Sequence, residues 1–374
     1  MMINPVNRKS ILSFLLLAVV VTNAFGLEKE NEAKTNEAQK NENQKGEFKG
    51  GMETEYPAWF KDGFLEFNHD VKEASKAGKR LMIVFTQPGC PYCNALVERN
   101  LAQKDIEQKV KKNFDSIALN MWGDREVTFT DGKIYTEKSI AEALKVQFTP
   151  TVIFFNEQGE IILRLNGYIP PRRFSVALDY VIQHQEKKMA YRAYVKAHLP
   201  PGKSGDLNKE NFFMSAPISL ALKSGKRDKP FAVFFEQKHC PGCDVLHQKV
   251  LVDKYTRNII KKFDTVQLDM WSNDTLVIPD GRRITARSWA KSLDIKYAPT
   301  LVIFNEQGKE IIRSEAFFKV FHTQGMFAYV LDGDYKKQPN FQRYLSARAE
   351  HFREQGQSVD IWNYESIHDE KVKK

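Results

Sequence analysis

The chain repeats itself at a nearly constant distance, and this constrains its fold more than any single motif. Cys90 and Cys240 stand 150 residues apart. Met121-Trp122 and Met270-Trp271, Asp131-Gly132 and Asp280-Gly281, and Pro150 and Pro299 stand 149 apart. Asn156-Glu157-Gln158-Gly159 returns as Asn305-Glu306-Gln307-Gly308, and Tyr180-Val181 and Lys187-Lys188 return as Tyr329-Val330 and Lys336-Lys337, again at 149. A fixed offset over landmarks so widely spread is a duplicated domain. The one-residue slip falls in the helix or loop behind the cysteines.

Both copies read alike. A helix over HDVKEASKAG (69–78) ends at Gly78, and an apolar strand follows, LMIVF (81–85) or FAVFF (231–235). A Cys-x-x-Cys pair comes next, then a helical stretch (94–112 and 244–262) and a second strand that ends in Met-Trp. Asp-Gly marks a turn. A short helix (137–145, 286–293) leads to Thr-Pro-Thr or Ala-Pro-Thr, which opens a hairpin turning at Asn-Glu-Gln-Gly. An amphipathic helix closes the unit. Strands alternating with helices and ending in a hairpin predict an α/β fold, a mixed sheet flanked by helices.

The ends are of another kind. Arg8 and Lys9 precede the apolar run ILSFLLLAVVV (11–21), and Ala24-Phe25-Gly26 has the pattern of a signal-peptidase site. Residues 1–26 therefore read as a cleavable signal peptide. The run is shorter than the ~20 residues of a spanning helix, and no cysteine follows it to carry a lipid. The expectation is an exported, periplasmic protein with no stable membrane insertion after processing. Residues 27–53 lack the apolar surface to offset ordering entropy and read as a disordered tether. The first domain is expected at 54–198, a linker at 199–206 (LPPGKSGD), the second domain at 207–340, and a charged helical extension at 341–374. The 56 basic residues face 47 acidic ones for a net charge of +9, without a basic–aromatic stripe. Nucleic acid is thus excluded as a partner.

The four cysteines, all in the two pairs, admit few chemistries. A zinc site would need pairs closer together in the chain. Covalent haem needs a histidine directly after the second cysteine, where Asn94 and Asp244 stand. Inert disulfides that each close a two-residue loop would remove little entropy from the unfolded chain. Redox exchange fits the position: a cysteine at a helix start has its thiolate stabilised by unpaired N–H groups and the helix dipole. An exposed first cysteine attacks, and the second, a turn inside, resolves the mixed disulfide. Pro150 and Pro299 start apolar strands, where a proline is unusual. If cis, they would bare backbone groups for an extended substrate.

CPYC and CPGC behind an apolar strand, with TPT and APT opening a hairpin further on, resemble the thioredoxin superfamily. The run GKRLMIVF-x-QPGCPYC, the Met-Trp segment, the Asp-Gly turn and the TPT hairpin are more particularly similar to exported thioredoxin-like proteins of the SoxW type. The resemblance implies two tandem thioredoxin-like folds and a thiol–disulfide oxidoreductase without a bound cofactor or metal. It places the nucleophiles on Cys90 and Cys240, the resolving thiols on Cys93 and Cys243, and the cis-prolines on Pro150 and Pro299. Thr149, Ala298 and Tyr92 become the candidate substrate contacts. The implied partners are protein thiols and disulfides, with a membrane-embedded thiol electron transporter as a source of electrons. Reduction is the favoured direction; disulfide oxidation or isomerisation, or a non-catalytic chaperone, are the alternatives. The chain departs from thioredoxin in three places. Gly89 and His239 replace the tryptophan before the first cysteine. The dipeptides are Pro-Tyr and Pro-Gly, and Val84 and Phe234 stand where thioredoxin buries an aspartate. In the second copy Glu236 is a candidate acceptor for the resolving thiol's proton, and Lys238 and His239, if close, would favour the Cys240 thiolate.

Overall fold

The computed structural model describes residues 45–63, 65–199 and 205–364. The expected signal peptide, most of the tether, the core of the linker and residues 365–374 lie outside the described residues.

The apolar strands Arg80–Thr86 and Phe231–Glu236 each lie inside a four-stranded sheet, and this is why they alternate so little. Met82 and Val84 face one buried cluster, while Leu81, Ile83 and Phe85 face the other. In the first copy the strand order is Phe114–Asn120, Arg80–Thr86, Thr151–Phe155, Ile161–Asn166, the first pair parallel and the others antiparallel. The second copy repeats this with Asp264–Asp269, Phe231–Glu236, Thr300–Phe304 and Glu310–Ser314. Helices cover both faces. The Asp-Gly turns at Asp131 and Asp280 join the short strands Glu126–Thr128 with Ile134–Thr136 and Thr275–Val277 with Arg283–Thr285. The slip between copies falls where helix Lys104–Asn113 has ten residues and Lys254–Ile260 has seven. The helical stretches after the cysteines are broken, each passing through a π segment, Leu96–Leu101 or Leu246–Val250.

Two expectations about the ends need correction. The tether was expected to run to residue 53, but Phe48–Lys49 is a strand, paired in parallel with Val359–Asp360. Backbone hydrogen bonds such as Gly46 N to Arg353 O (2.8 Å) give this polar segment the partners that its side chains do not. The extension after residue 340 is not merely a solvated charged helix. Helix Phe341–Glu354 buries Phe341, Tyr344, Leu345 and Phe352, and it is the counterpart, 150 residues on, of helix Tyr191–His198. Each of these two helices packs on the other copy. Arg192 donates to Met270 O (2.7 Å) and Ile295 O (3.1 Å), while Gln342 donates to Gln147 O (3.0 Å). Asn166 and Glu315, equivalent positions 149 apart, meet across the same interface at 2.6 Å.

Candidate active site

Each cysteine pair caps a helix. Cys90 is the N-cap of Pro91–Ala95 and Cys240 that of Pro241–Val245, with the proline at the first helical position, where its missing N–H costs nothing. The Cys93 and Cys243 N–H groups each donate to the preceding Sγ at 3.1 Å. Such a donor at a helix start stabilises negative charge on Cys90 and Cys240 when the disulfides Cys90–Cys93 and Cys240–Cys243 are opened. The loop turns into the helix through a left-handed residue in both copies, Gly89 (φ 68°) and His239 (φ 51°).

The Thr149–Pro150 and Ala298–Pro299 peptides are cis, as is Ala216–Pro217, which no sequence feature marks. Both hairpin prolines sit against the cysteines. The Cys90 Sγ lies 3.3 Å from Thr149 Oγ1 and 3.6 Å from Thr149 O. In the second copy a Cβ on Gly242 would stand 3.0 Å from Pro299 Cδ. The Cys loops are held from outside by matching bonds, Trp122 Nε1 to Gln87 Oε1 and Trp271 Nε1 to Gln237 Oε1, both 3.0 Å.

Glu236 is fully buried at the end of its strand. Its Oε1 accepts from or shares a proton with His247 Nε2 at 2.9 Å, and its Oε2 accepts from Gln267 Nε2 at 3.1 Å. Glu210 meets the other imidazole nitrogen at 3.0 Å. Burial alone would lower the His247 pKa, but the bonds and charges of Glu236 and Glu210 outweigh it and hold it above its ordinary value. Glu236 thus sits in a buried carboxylate–imidazole network, and neither sulfur is among its hydrogen-bond partners. The first copy has Thr86 and Val97 at the matching positions.

The first cysteine was expected to be exposed. Cys90 and Cys240 are each only 3% exposed, but for different reasons. Around Cys240 the loop is open: Pro241 is exposed and Gly242 half-buried, beside a cleft of about 710 Å³. Around Cys90 the residues Pro91 and Tyr92 are buried too, and the cavity shrinks to about 120 Å³. The second domain closes it. Tyr92 meets Phe318, His322 and Trp362 edge-on at 5.3, 5.2 and 4.9 Å, and its hydroxyl oxygen accepts from Lys319 N at 3.0 Å. Phe148, before Thr149, stacks on Phe318 (5.0 Å) and packs on Phe341 (5.5 Å). Cys90, Tyr92, Cys93 and Phe148 belong to the second domain's apolar cluster. Tyr92, a candidate substrate contact, is therefore engaged by its own chain.

His322 lines the Cys90 cavity at 7% exposure, its Nδ1 has no hydrogen-bond partner, and burial pushes its pKa down to about 4. The sequence reading missed it, together with Arg173, its counterpart 149 residues earlier, which donates to Ala298 O at 2.8 Å. Aligning the copies pairs the two residues, but only the interface shows that each reaches the other copy's site. Among the described residues, His69, Asp70 and Glu73 are the one group of three whose metal-ligating atoms all lie within 4.8 Å of one another, and Glu73 is already paired with Lys61 at 2.6 Å. No helix of the described residues is long and apolar enough to cross a membrane.

The model of a thioredoxin-like domain matches residues 67–182 and again 220–321. Among solved structures, a thioredoxin-fold protein from Helicobacter pylori is 22% identical over 35% of this chain and 94% of its own, with a TM-score of 0.29. A thioredoxin from Thermus thermophilus is 21% identical over 32% and 85%, TM-score 0.26. The oxidised C-terminal domain of DsbD from Neisseria meningitidis is 16% identical over 33% and 90%, TM-score 0.23. No curated protein matches the chain. With over half its length matched in two successive copies, each carrying its cysteine pair, the chain belongs to the thioredoxin-like domain family.

Proposed function

We propose that the protein is an exported thiol–disulfide oxidoreductase, of the SoxW-like kind, that reduces disulfides in protein substrates. One observation carries this reading: in both copies a helix-capping cysteine faces a cis-proline loop. In the reduced form the Cys240 thiolate attacks a substrate disulfide, forming a mixed disulfide and releasing one substrate thiolate. Cys243 then attacks Cys240 Sγ, so the second substrate sulfur leaves and the protein keeps the disulfide. Two electrons and two protons pass to the substrate. They are returned by an external dithiol, for which a membrane-embedded thiol transporter is the proposed source.

Reduction of insulin by dithiothreitol tests the activity, and a variant without the four cysteines must lose the acceleration. Equilibration of each pair with a glutathione buffer tests the direction. A potential near thioredoxin's, about −270 mV, supports reduction, and one near about −120 mV would make the protein an oxidant. A purely docking, non-exchanging role is favoured by one observation alone, the burial of the CPYC loop, and for the first domain alone.

A further inference from the structure

Helices Pro171–Ile182 and Val320–Leu331 are equivalent, and each begins against the other copy's cysteine pair. At Cys90 the second copy presents Phe321 and His322. At Cys240 the first copy presents Arg172 and Arg173. The cleft of about 710 Å³ beside Pro241, Gly242 and Pro299 is thus built by both domains, with Arg99 and Lys319 on its walls. Its volume suits a well-bound ligand (~300–1,000 Å³).

The charges in this cleft lack anions. Among the described residues, Arg99, Arg172 and Arg173 make no ion pair, and Arg99 and Arg172 are exposed. Arg173 is held by Ala298 O at 2.8 Å and lies over the Tyr297 ring at 5.9 Å, its pKa lowered by burial. Lys319 rests on the Trp362 ring at 3.8 Å. The lining has one carboxylate, Glu315, which is buried and committed to Asn166 at 2.6 Å and Arg313 at 3.8 Å. Tyr168, Phe317 and Trp362 supply apolar surface between the cations.

We propose that this cleft selects extended polypeptide segments that carry carboxylates around a bulky apolar residue, next to the disulfide that Cys240 attacks. The charge complementarity of a cationic, aromatic-walled groove favours that occupant over neutral or basic segments. The inference rests on the disulfide-exchange reading above, and makes the first domain a specificity element for the second.

The test uses the full chain in its disulfide form and two short fluorescent peptides without cysteine. One places Glu and Asp around Phe and Leu; the other has Gln and Asn in their place. The acidic peptide should bind roughly tenfold tighter at low ionic strength, the preference fading towards ~200 mM salt. Arg99→Gln with Arg172→Gln, both at exposed positions, should bring the ratio close to one while the circular dichroism spectrum and Tm of the chain stay unchanged. Equal binding of the two peptides, a preference that survives the double substitution, or self-association of the chain through this face would each overturn the inference. Because binding is read without exchange, absence of insulin reduction would count against the proposed function and leave the peptide result standing by itself.

Discussion

The two cysteine loops have the same backbone and opposite surroundings. Both cap a helix and face a cis-proline, yet the CPYC loop is packed into the other domain while the CPGC loop borders a cleft. The difference lies in a few equivalent positions: Tyr92 against Gly242, Phe321-His322 against Arg172-Arg173, and a helix of fourteen residues, Phe341–Glu354, against one of eight, Tyr191–His198. Aromatic rings gain by leaving water, so they draw the second domain over Cys90. Guanidinium groups without carboxylate partners lose by leaving it, so the same helix in the other copy leaves Cys240 approachable. Duplication therefore kept the reacting elements and changed what each copy shows its neighbour.

The comparison breaks most sharply on chains that keep one pair. With Cys240→Ser and Cys243→Ser, the remaining Cys90 pair must uncover Tyr92, Phe148 and Phe341 before a protein can reach it. At ~1.5–3 kcal/mol for each large apolar side chain, opening costs at least about 4 kcal/mol, or a rate about a thousandfold lower. Insulin reduction should show that gap against the chain retaining Cys240 and Cys243. Phe341→Ala should recover part of it. Equal rates would mean that the burial seen at Cys90 does not govern access.

A second contrast is the network under the open site. Glu236→Ala leaves His247 facing Glu210 alone in a buried place, and unfolding in urea should show a loss of about 3–4 kcal/mol. Thr86→Ala, the matching change in the first copy, should cost less than about 1 kcal/mol. Since the folded His247 pKa is raised, its contribution is full below its unfolded value and fades as pH rises through the folded one. Glu236→Gln separates support from proton transfer. A pH profile of exchange that does not move would remove Glu236 as acceptor for the Cys243 proton.

Much of this architecture was legible in the sequence because it rests on local signals repeated twice. Apolar strands, Asp-Gly turns and hairpin prolines each have a local cause, and the constant offset multiplies their weight. The closure of Cys90 was not legible. It depends on Tyr92, Phe148, Phe318 and Phe341, whose apolar character fits an ordinary core equally well, and on how two domains dock. The order of residues 45–53 is invisible to composition, because composition reports side chains, whereas Phe48–Lys49 is held by backbone pairing.

Acid should open the closed site and not the open one. His322 is buried as the neutral imidazole, its pKa pushed down to about 4 from an ordinary 6.5, with burial the sole cause. A depressed value means that its contribution is present above pH 6.5 and is lost as pH falls through 4. That loss is about 2–3 kcal/mol at the interface. Calorimetry between pH 7 and 4.5 should show a fall in Tm that His322→Phe abolishes. Because the His322 Nδ1 has no partner, this substitution should be neutral or stabilising at pH 7. A fall in Tm of the same size in the variant would assign it to other groups.

The smallest expected effect concerns the loop residue before each first cysteine. Gly89 and His239 share a left-handed backbone, φ 68° and 51°, which glycine adopts freely and a residue with a Cβ does not. His239→Gly should therefore stabilise the second domain by about 0.5–1 kcal/mol, less than the full strain because glycine also loses more freedom on folding. Gly89→His in the first copy should destabilise by a similar amount, as nothing lies within 4 Å of a Cβ there to add a clash. Opposite signs in urea unfolding would show that His239 carries backbone strain that Gly89 does not. If that strain is kept for an imidazole acting on Cys240, the rate of Cys240 alkylation against pH shifts in His239→Gly and stays put in Gly89→His. If the stabilities move by the expected amounts and neither alkylation profile shifts, the strain serves the turn alone, and the two loops differ only in what surrounds them.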